Sequence, residues 1–162
     1  IDTSGSMPAR TNGTSGSTRI EQAKRELASA IGGFKTDQRF QIISFNQGQR
    51  RYGKRLVKAT KRERKKATDW ISKLTAGGGT NAYDSLVEAL ELDDVDTIYL
   101  LSDGGPSAGS IVDPDAIRVA IRRHNRFLRV NINTIGIGVR GETETFLREL
   151  AKENWGESIV LD

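Results

Sequence analysis

Cysteine is absent from this 162-residue chain, and histidine occurs once. Without cysteine, disulfides, thiolate nucleophiles and cysteine-ligated zinc are all excluded. The one histidine, His124, falls in a basic helical segment, where we expect it to be exposed to solvent. No window approaches the roughly 20 consecutive apolar residues that a membrane-spanning helix needs. The chain itself therefore offers no thiol chemistry and no membrane span.

The remaining composition is typical of one soluble globular domain. Hydrophobic residues make up 36% of the chain and charged residues 28%. The length is enough to bury a sizeable core and is short for two domains. With no linker or internal repeat in view, we predict a single domain over residues 1–162.

Positive charge is concentrated in one stretch, residues 50–66, which holds ten basic residues and one acid, Glu63. One interpretation is a patch for nucleic acid or another acidic surface. The other is an exposed edge strand, which lysine and arginine protect from unwanted pairing, followed by a solvated helix. Tyr52 is the only aromatic residue there, so a series of base-stacking side chains is missing. We favour the second interpretation and expect no nucleic-acid partner.

Strand and helix patterns alternate along the chain. Apolar residues at helical spacing predict helices over residues 18–33, 61–74, 82–92, 113–129 and 143–154. Alternating or continuous apolar runs predict strands over residues 39–45, 52–59, 95–103, 130–139 and 158–162. This order predicts an α/β fold with a doubly wound, mostly parallel sheet and helices on both faces.

Two of these segments give more specific expectations. The continuous apolar run over residues 95–103 predicts a strand covered on both faces. The polar run at residues 2–6 should follow a strand, yet only Ile1 precedes it. We therefore expect the first, central strand to be missing from this chain, which would leave two sheet edges exposed and make it fold poorly alone.

Three loops rich in side-chain oxygens follow predicted strands or precede predicted helices. They read "DTSGS" at residues 2–6, "GGGTN" at residues 77–81 and "SDGGP" at residues 102–106. In open α/β sheets, binding sites form beyond the carboxyl ends of the strands, so these loops can converge there. The candidate metal ligands that they supply are Asp2, Ser4, Ser6, Thr80 and Asp103.

This set of oxygens suits a hard divalent cation. Mg²⁺ prefers six oxygen ligands, keeps some of its waters and is seldom enclosed by protein alone. Two carboxylates balance its charge, and hydroxyl ligands add none, so a carboxylate from a partner can complete the shell. Each residue also has an ordinary explanation: Asp2 or Thr80 as a helix cap, and Asp103 as the start of a turn. The combination and order of the three loops favour the metal site.

The three loops resemble the metal-ion-dependent adhesion site (MIDAS) of von Willebrand factor type A (VWA) domains. That family has Asp-x-Ser-x-Ser, a threonine in a glycine-rich loop, and Asp-Gly-x-Pro after a strand. The match falls on Asp2, Ser4, Ser6, Thr80 and Asp103, and the order of the intervening elements agrees across essentially the whole chain. The stretches "YLLSDGGPSAG" and "INTIGIG" especially resemble bacterial members.

The resemblance implies a six-stranded, Rossmann-like sheet with one antiparallel edge strand, at residues 52–59. It implies that Ser4 and Ser6 bind Mg²⁺ or Mn²⁺ directly, with Ca²⁺ as a further candidate. Thr80 and the two aspartates would bind directly or through water. The domain would be a protein-binding (adhesion or interaction) module rather than an enzyme, completed by an acidic residue of a protein partner. Members of the family occur both outside and inside cells, so the compartment stays open, with an exported or cell-surface location favoured.

Two alternatives remain open at this point. A metal-dependent phosphoryl hydrolase could use an aspartate as nucleophile, but Ser4 stands where such enzymes need a second acid. The glycine run before Thr80 also lacks the lysine of a phosphate-binding loop. The other alternative is a scaffold domain that does not use its metal, in which substitution of Asp103 by Ala would leave binding intact.

Overall fold

The computed structural model describes residues 1–11 and 16–162, so the loop predicted over residues 7–17 lies partly outside the described residues. Five helices and seven short strands follow one another in it. In chain order they are α1 (Arg19–Gly33), β1 (Arg39–Phe40), β2 (Ile43–Phe45), β3 (Gln49–Arg51), β4 (Val57–Lys58), α2 (Lys61–Ser72), α3 (Ala82–Leu90), β5 (Thr97–Ser102), α4 (Pro114–Asn125), β6 (Asn131–Ile137), α5 (Gly141–Glu153) and β7 (Ser158–Leu161).

The predicted α/β alternation is confirmed, and α1 shows why the sequence starts a helix where it does. Thr18 accepts a hydrogen bond from the Glu21 backbone, and the Glu21 carboxylate accepts one from the Thr18 backbone. This reciprocal capping satisfies two amide groups that the first helical turn leaves unpaired. Two other helices, α2 and α3, are each two residues shorter at their carboxyl ends than predicted and end at Ser72 and Leu90.

The sheet is parallel through its centre. β6 pairs in parallel with β5 on one side and with β7 on the other. On the far side of β5, the first residues of the chain form the link to β2: the Asp2 amide donates to the Leu101 carbonyl (2.8 Å), and the Phe45 amide donates to the Ile1 carbonyl (3.0 Å). β3 pairs antiparallel with β2 and forms the outer edge. The order across the sheet is therefore β3, β2, residues 1–3, β5, β6, β7.

The two outer strands are more broken than the sequence predicts. The strand predicted over residues 39–45 is split into β1 and β2, because the Gln41 side chain forms hydrogen bonds with backbone groups at this point. Its amide group donates to the Gly53 (2.8 Å) and Arg55 (3.1 Å) carbonyls and accepts from the Ile42 amide (2.9 Å). The prediction of an edge strand over residues 52–59 is wrong in extent. The segments that pair antiparallel are Gln49–Arg51, which pairs with β2, and Val57–Lys58, which pairs with β1.

Helices cover both faces of the sheet, as predicted. Along β5, Leu101 points into a core formed with α1 and α2, while Leu100 points into a second core formed with α3, α4 and α5. Successive side chains of a strand point to opposite faces, so this alternation is the pattern of a two-sided sheet. Within the described ranges, no helix is both long and apolar enough to cross a membrane.

The amino half of β5 is less covered than its apolar sequence predicts. Tyr99 is 58% exposed, whereas Leu100, Leu101 and Ser102 are buried. The reason is a cavity of about 880 Å³ beside this half of the strand, whose lining includes Ile1, Phe40, Ile42, Ile98 and Leu86. The cavity lies between β2 and β5, next to the point where residues 1–3 join the two strands. The further central strand that the sequence predicts would lie in this cavity, and it stays a prediction.

The basic stretch over residues 50–66 forms contacts within the domain. The Arg64 guanidinium donates to the carbonyls of Gly32 and Phe34, at the end of α1. The Arg50 guanidinium lies over the Trp70 ring, 5.5 Å from its centroid. The Tyr52 hydroxyl donates to Glu63 (2.6 Å), and this bond is the main cause of a lowered Glu63 pKa. These roles fit the interpretation as an edge strand and a solvated helix.

Candidate metal centre

Three loops meet at the carboxyl edge of the sheet, as the strand order requires. The loop that begins at Asp2 is tied to the glycine-rich loop by two backbone bonds: the Gly5 amide donates to the Gly78 carbonyl, and the Gly77 amide donates to the Thr3 carbonyl, both at 2.8 Å. The third loop begins where β5 ends, beside Asp2. The backbone thus brings the three predicted oxygen-rich stretches side by side.

The close approach of these loops depends on glycine. A Cβ on Gly5 would lie 3.2 Å from the Gly78 carbonyl oxygen, and a Cβ on Gly79 would lie 2.9 Å from the Ala108 Cβ. Gly78 has a φ of +84°, in the left-handed region that favours glycine. Side chains at these positions would push the loops apart.

Ser4, Ser6 and Asp103 form a continuous row of oxygens. The hydroxyl oxygens of Ser4 and Ser6 are 3.1 Å apart, and the Ser6 hydroxyl donates to Asp103 Oδ1 at 2.8 Å. The Asp103 side chain is fully buried, although Ser6 lies at the surface. The row therefore leads from a buried carboxylate to solvent, where a partner can reach it.

Asp2 lies behind this row and is fully buried. Its Oδ1 accepts from the Ser4 amide (2.7 Å), and its Oδ2 accepts from the Ser102 hydroxyl (2.6 Å). Burial raises the pKa of the Asp2 carboxyl above its usual range, and the nearby Asp103 charge raises it further, although the two hydrogen bonds work in the opposite direction. A cation bound at this edge would stabilise the ionised form of the Asp2 carboxylate.

Thr80 is buried in the neighbouring loop and held there through its backbone. Its amide donates to the Ser107 hydroxyl (2.9 Å), and its carbonyl accepts from the Ser107 amide (3.0 Å). Within residues 1–11 and 16–162, no hydrogen bond joins its side chain to the other four candidate ligands. The structure thus links Asp2, Ser4, Ser6 and Asp103 directly and places Thr80 in the adjoining loop.

The ordinary explanations for these residues do not hold. The cap of α3 is Asn81, whose side chain accepts from the Asp84 amide, so Thr80 is not the helix cap. The cap of α1 is Thr18, so Asp2 does not start that helix. The Asp103 carboxylate accepts from side chains of other elements and not from its own turn. Thr80 and Asp2 therefore cap no helix, and the side chain of Asp103 bonds to Ser6 and Arg19.

Three residues of the site were not anticipated from the sequence. Ser102 binds Asp2, Ser107 holds Thr80, and Arg19 Nη1 donates to Asp103 Oδ2 at 2.9 Å. Ser102 and Ser107 lie in the same loop as Asp103 and could have been included on that ground. For Arg19 the indication is weaker. It is the first residue of α1, where the helix dipole disfavours a positive charge, so an acidic residue nearby could have been expected.

Ser107 also has the glycine-x-serine-x-glycine spacing of a hydrolase nucleophile, with Gly105 and Gly109 on either side. Its hydroxyl, however, accepts a hydrogen bond from the Thr80 amide. The one histidine of the chain, His124, lies exposed on α4. A serine nucleophile needs a base within hydrogen-bond reach, which the described residues do not place beside Ser107.

The oxygen spacing fits a divalent cation. Ligands at neighbouring corners of a Mg²⁺ octahedron, with bonds of about 2.1 Å, lie about 3.0 Å apart, and neighbouring equatorial ligands of a seven-coordinate Ca²⁺ lie about 2.8 Å apart, so a spacing near 3 Å suits either ion. The observed spacings between Ser4, Ser6 and Asp103 oxygens are 3.1 and 2.8 Å. The described residues contain no cluster of three or more His, Cys, Asp or Glu side chains able to hold a metal, so any site here must mix carboxylates with hydroxyls.

Comparison with known proteins gives a consistent match over nearly the whole chain. A family model described as von Willebrand factor type A domain matches residues 4–159. The inter-alpha-trypsin inhibitor heavy chain H2 of Mus musculus is 27% identical over 169 residues, which cover 96% of this chain. The chain spans only 17% of the length of that relative.

Solved structures show the same fold. The von Willebrand factor type A structure from Catenulispora acidiphila superposes with a TM-score of 0.82 and 24% identity, over all of this chain and 37% of that one. Proximal thread matrix protein 1 from the mussel byssus, solved with a zinc-occupied MIDAS motif, gives a TM-score of 0.66 and 18% identity, over 98% of this chain and 39% of that one. With a family model covering residues 4–159 and this fold, the chain belongs to the von Willebrand factor type A domain family.

Proposed function

We propose that this domain is a divalent-metal-dependent protein-binding module. Asp2, Ser4, Ser6, Thr80 and Asp103 would hold Mg²⁺ or Mn²⁺, and an acidic side chain of a partner protein would complete the coordination shell. The observation that supports this most is the row of Ser4, Ser6 and Asp103 oxygens, spaced 3.1 and 2.8 Å apart at the carboxyl edge of the sheet.

Charge and exposure explain why the last ligand would come from outside. Asp2 and Asp103 are buried and supply two negative charges, while Ser6 is exposed and supplies none. A bound Mg²⁺ would supply a strong positive charge beside Ser6, the member of the row that faces solvent. A carboxylate is the anionic oxygen ligand that proteins most often offer to such an ion.

Mg²⁺ and Mn²⁺ suit a site that offers a few protein oxygens and leaves room for water and a partner, and Ca²⁺ and zinc are further candidates. Proximal thread matrix protein 1 has the same fold and holds zinc at its MIDAS motif. Zn²⁺ prefers four nitrogen or sulfur ligands, however, and this site offers only oxygens. A place at the cell surface or outside the cell, the location favoured in the sequence analysis, belongs to the same proposal.

The two alternatives are less well supported. A phosphoryl hydrolase that attacks through an aspartate needs a general acid or base beside it, whereas the hydrogen-bond partners of Asp2 and Asp103 are serine hydroxyls, a backbone amide and Arg19. A scaffold without metal would gain nothing from Asp2, which is fully buried and forms no ion pair with the described residues, since burying charge without a counter-ion is unfavourable.

Selection of peptide ligands tests the proposal without knowledge of the natural partner. The immobilised domain is exposed to a displayed random peptide library in Mg²⁺, and bound peptides are eluted with EDTA. We expect the eluted peptides to share an Asp or Glu, and expect its replacement by Asn or Gln to abolish binding, because the amide cannot supply the charge that the metal requires.

The matched control is the same selection on a variant in which Ser4 and Ser6 are both replaced by Ala. This change removes two metal ligands and leaves Asp2 and Asp103 in place. The proposal is wrong if peptides bind equally well in EDTA, or if the double variant selects the same acidic peptides.

A further inference from the structure

Arg19 places a permanent positive charge against one of the two candidate metal-binding carboxylates. Its Nη1 donates to Asp103 Oδ2 at 2.9 Å, while the Asp103 side chain is fully buried and that of Arg19 is 22% exposed. An arginine side chain stays protonated at any physiological pH. The pair is therefore a shielded, charge-assisted hydrogen bond, of a kind about twice as strong as a neutral one.

The surroundings of Arg19 direct its guanidinium toward Asp103. The Arg19 amide donates to the Ala9 carbonyl (2.9 Å), which fixes the start of α1 beside the loop of Asp2. On the other side, a Cβ added to Gly138 would lie 3.2 Å from Arg19 Nε, so the absence of a side chain there leaves room for the guanidinium. Arg19 Nε is buried and has no hydrogen-bond partner among the described residues. Asp103 is thus the carboxylate toward which the arginine is directed.

The charge count changes once Arg19 is included. Asp2 and Asp103 together contribute two negative charges, and Arg19 returns one positive charge. A divalent cation entering the site would therefore meet a net charge of one negative instead of two. It would also have to share Asp103 with the guanidinium or displace it.

We propose that Arg19 is an affinity-determining residue of the metal site, which occupies Asp103 in the metal-free protein and competes with the incoming cation. This inference rests on the proposed function. A cation bound beside Arg19 would leave one positive charge unbalanced, which the carboxylate of an acidic partner would neutralise. Arg19 would in this way weaken binding of the metal alone and make metal binding depend on the partner.

Mn²⁺ titration of the whole chain by calorimetry tests this inference with the metal alone. Arg19→Gln is expected to bind Mn²⁺ at least about tenfold more tightly than the parent, since one charge-assisted hydrogen bond no longer competes for Asp103. Arg25→Gln is the matched control: it removes the same charge from α1, where Arg25 bonds to Ser17 instead. Its Mn²⁺ affinity should stay within about twofold of the parent.

Thermal unfolding separates competition from a purely structural role. In EDTA, Arg19→Gln should unfold at a lower temperature than the parent, because the buried Asp103 loses its cation. In saturating Mn²⁺ this deficit should shrink or reverse, since the metal replaces the guanidinium. A deficit that is the same in both conditions would overturn the inference.

A third variant covers the case in which Arg19→Gln does not fold. Arg19→Lys keeps the charge but loses the rigid fork, and should bind Mn²⁺ at least about threefold more tightly than the parent. Unchanged or weaker Mn²⁺ affinity in the folded variants would refute the role of Arg19 and leave the metal site standing. No Mn²⁺ binding by the parent or by any variant would refute the metal site, and the role of Arg19 with it.

Discussion

Asp2→Asn is expected to abolish metal binding and yet leave the metal-free domain as stable as the parent, or more stable. Asp2 is fully buried, and burial raises the pKa of its carboxyl. Ionising that carboxyl at neutral pH therefore lowers the free energy of unfolding when no cation is present. An amide of the same shape carries no charge and avoids this penalty.

The hydrogen bonds around residue 2 tolerate the amide. Its oxygen can accept the Ser4 amide, as Asp2 Oδ1 does. Its NH₂ group can donate to the Ser102 hydroxyl, which then donates to the Gly104 carbonyl, 3.2 Å away. The second N–H of the amide has no such partner, so the stability expected of Asp2→Asn is the gain from removing a buried charge less the cost of one unpaired donor.

The direction of the pH dependence follows from the raised pKa. The folded protein holds the Asp2 proton more tightly than the unfolded chain, so this residue favours folding below the unfolded pKa of 3.8. That contribution is lost as the pH rises through the folded pKa. The advantage of Asp2→Asn in EDTA should therefore be largest at neutral pH and should vanish near pH 3.

Urea denaturation in EDTA and in Mg²⁺ measures both parts of the prediction. At a hundred times its dissociation constant, Mg²⁺ should stabilise the parent by about 2.7 kcal/mol and Asp2→Asn not at all. Asp103→Asn is the informative comparison, because it also removes a candidate ligand but deprives Arg19 of its ion pair. It should lose stability in EDTA, and equal stability of the two variants would contradict this account.

The second large effect concerns the cavity between β2 and β5. Joining about five β-branched apolar residues ahead of Ile1 should raise the free energy of unfolding by roughly 3 kcal/mol, the balance of apolar burial and new backbone bonds against the entropy of ordering the segment. The cavity is about 880 Å³, and its lining includes apolar side chains from both strands as well as charged ones such as Asp94 and Asp96.

The existing contacts of Ile1 show the direction that such a segment would take. The Ile1 nitrogen donates to the Ile43 carbonyl (2.8 Å), in line with the parallel bridge between Asp2 and Phe45. Burial lowers the pKa of the Ile1 amine to about 5. A peptide bond in its place would keep the donor and remove an amine that has to give up its proton when it is buried at neutral pH.

A Gly/Ser extension of equal length is the control for the added segment. It offers the same peptide bond at Ile1 but no apolar side chains to fill the cavity. Equal stability of the two extended chains, measured by urea denaturation, would show that the cavity does not accept a strand.

Local sequence signals predicted those parts of the structure that depend on neighbouring residues. The Thr18 and Glu21 capping pair located the start of α1, and the strand order placed Asp2 and Asp103 at one edge. The split at Gln41 could not be predicted, because it depends on carbonyls of Gly53 and Arg55 more than ten residues away. The same holds for the ion pair of Arg19 with Asp103, which are 84 residues apart.

The position of a bound cation tests the central claim most directly. Mn²⁺ broadens the NMR signals of nearby amides, so a titration of the ¹⁵N-labelled domain reports where the ion binds. We predict that the amides of residues 4–6, 79–81 and 103–105 lose intensity first. The amides of residues 127–131, at the amino end of β6, should keep their intensity. In Asp2→Asn, no group of amides should lose intensity selectively. Loss of signal centred on any other part of the chain, or none in the parent, would contradict the metal site.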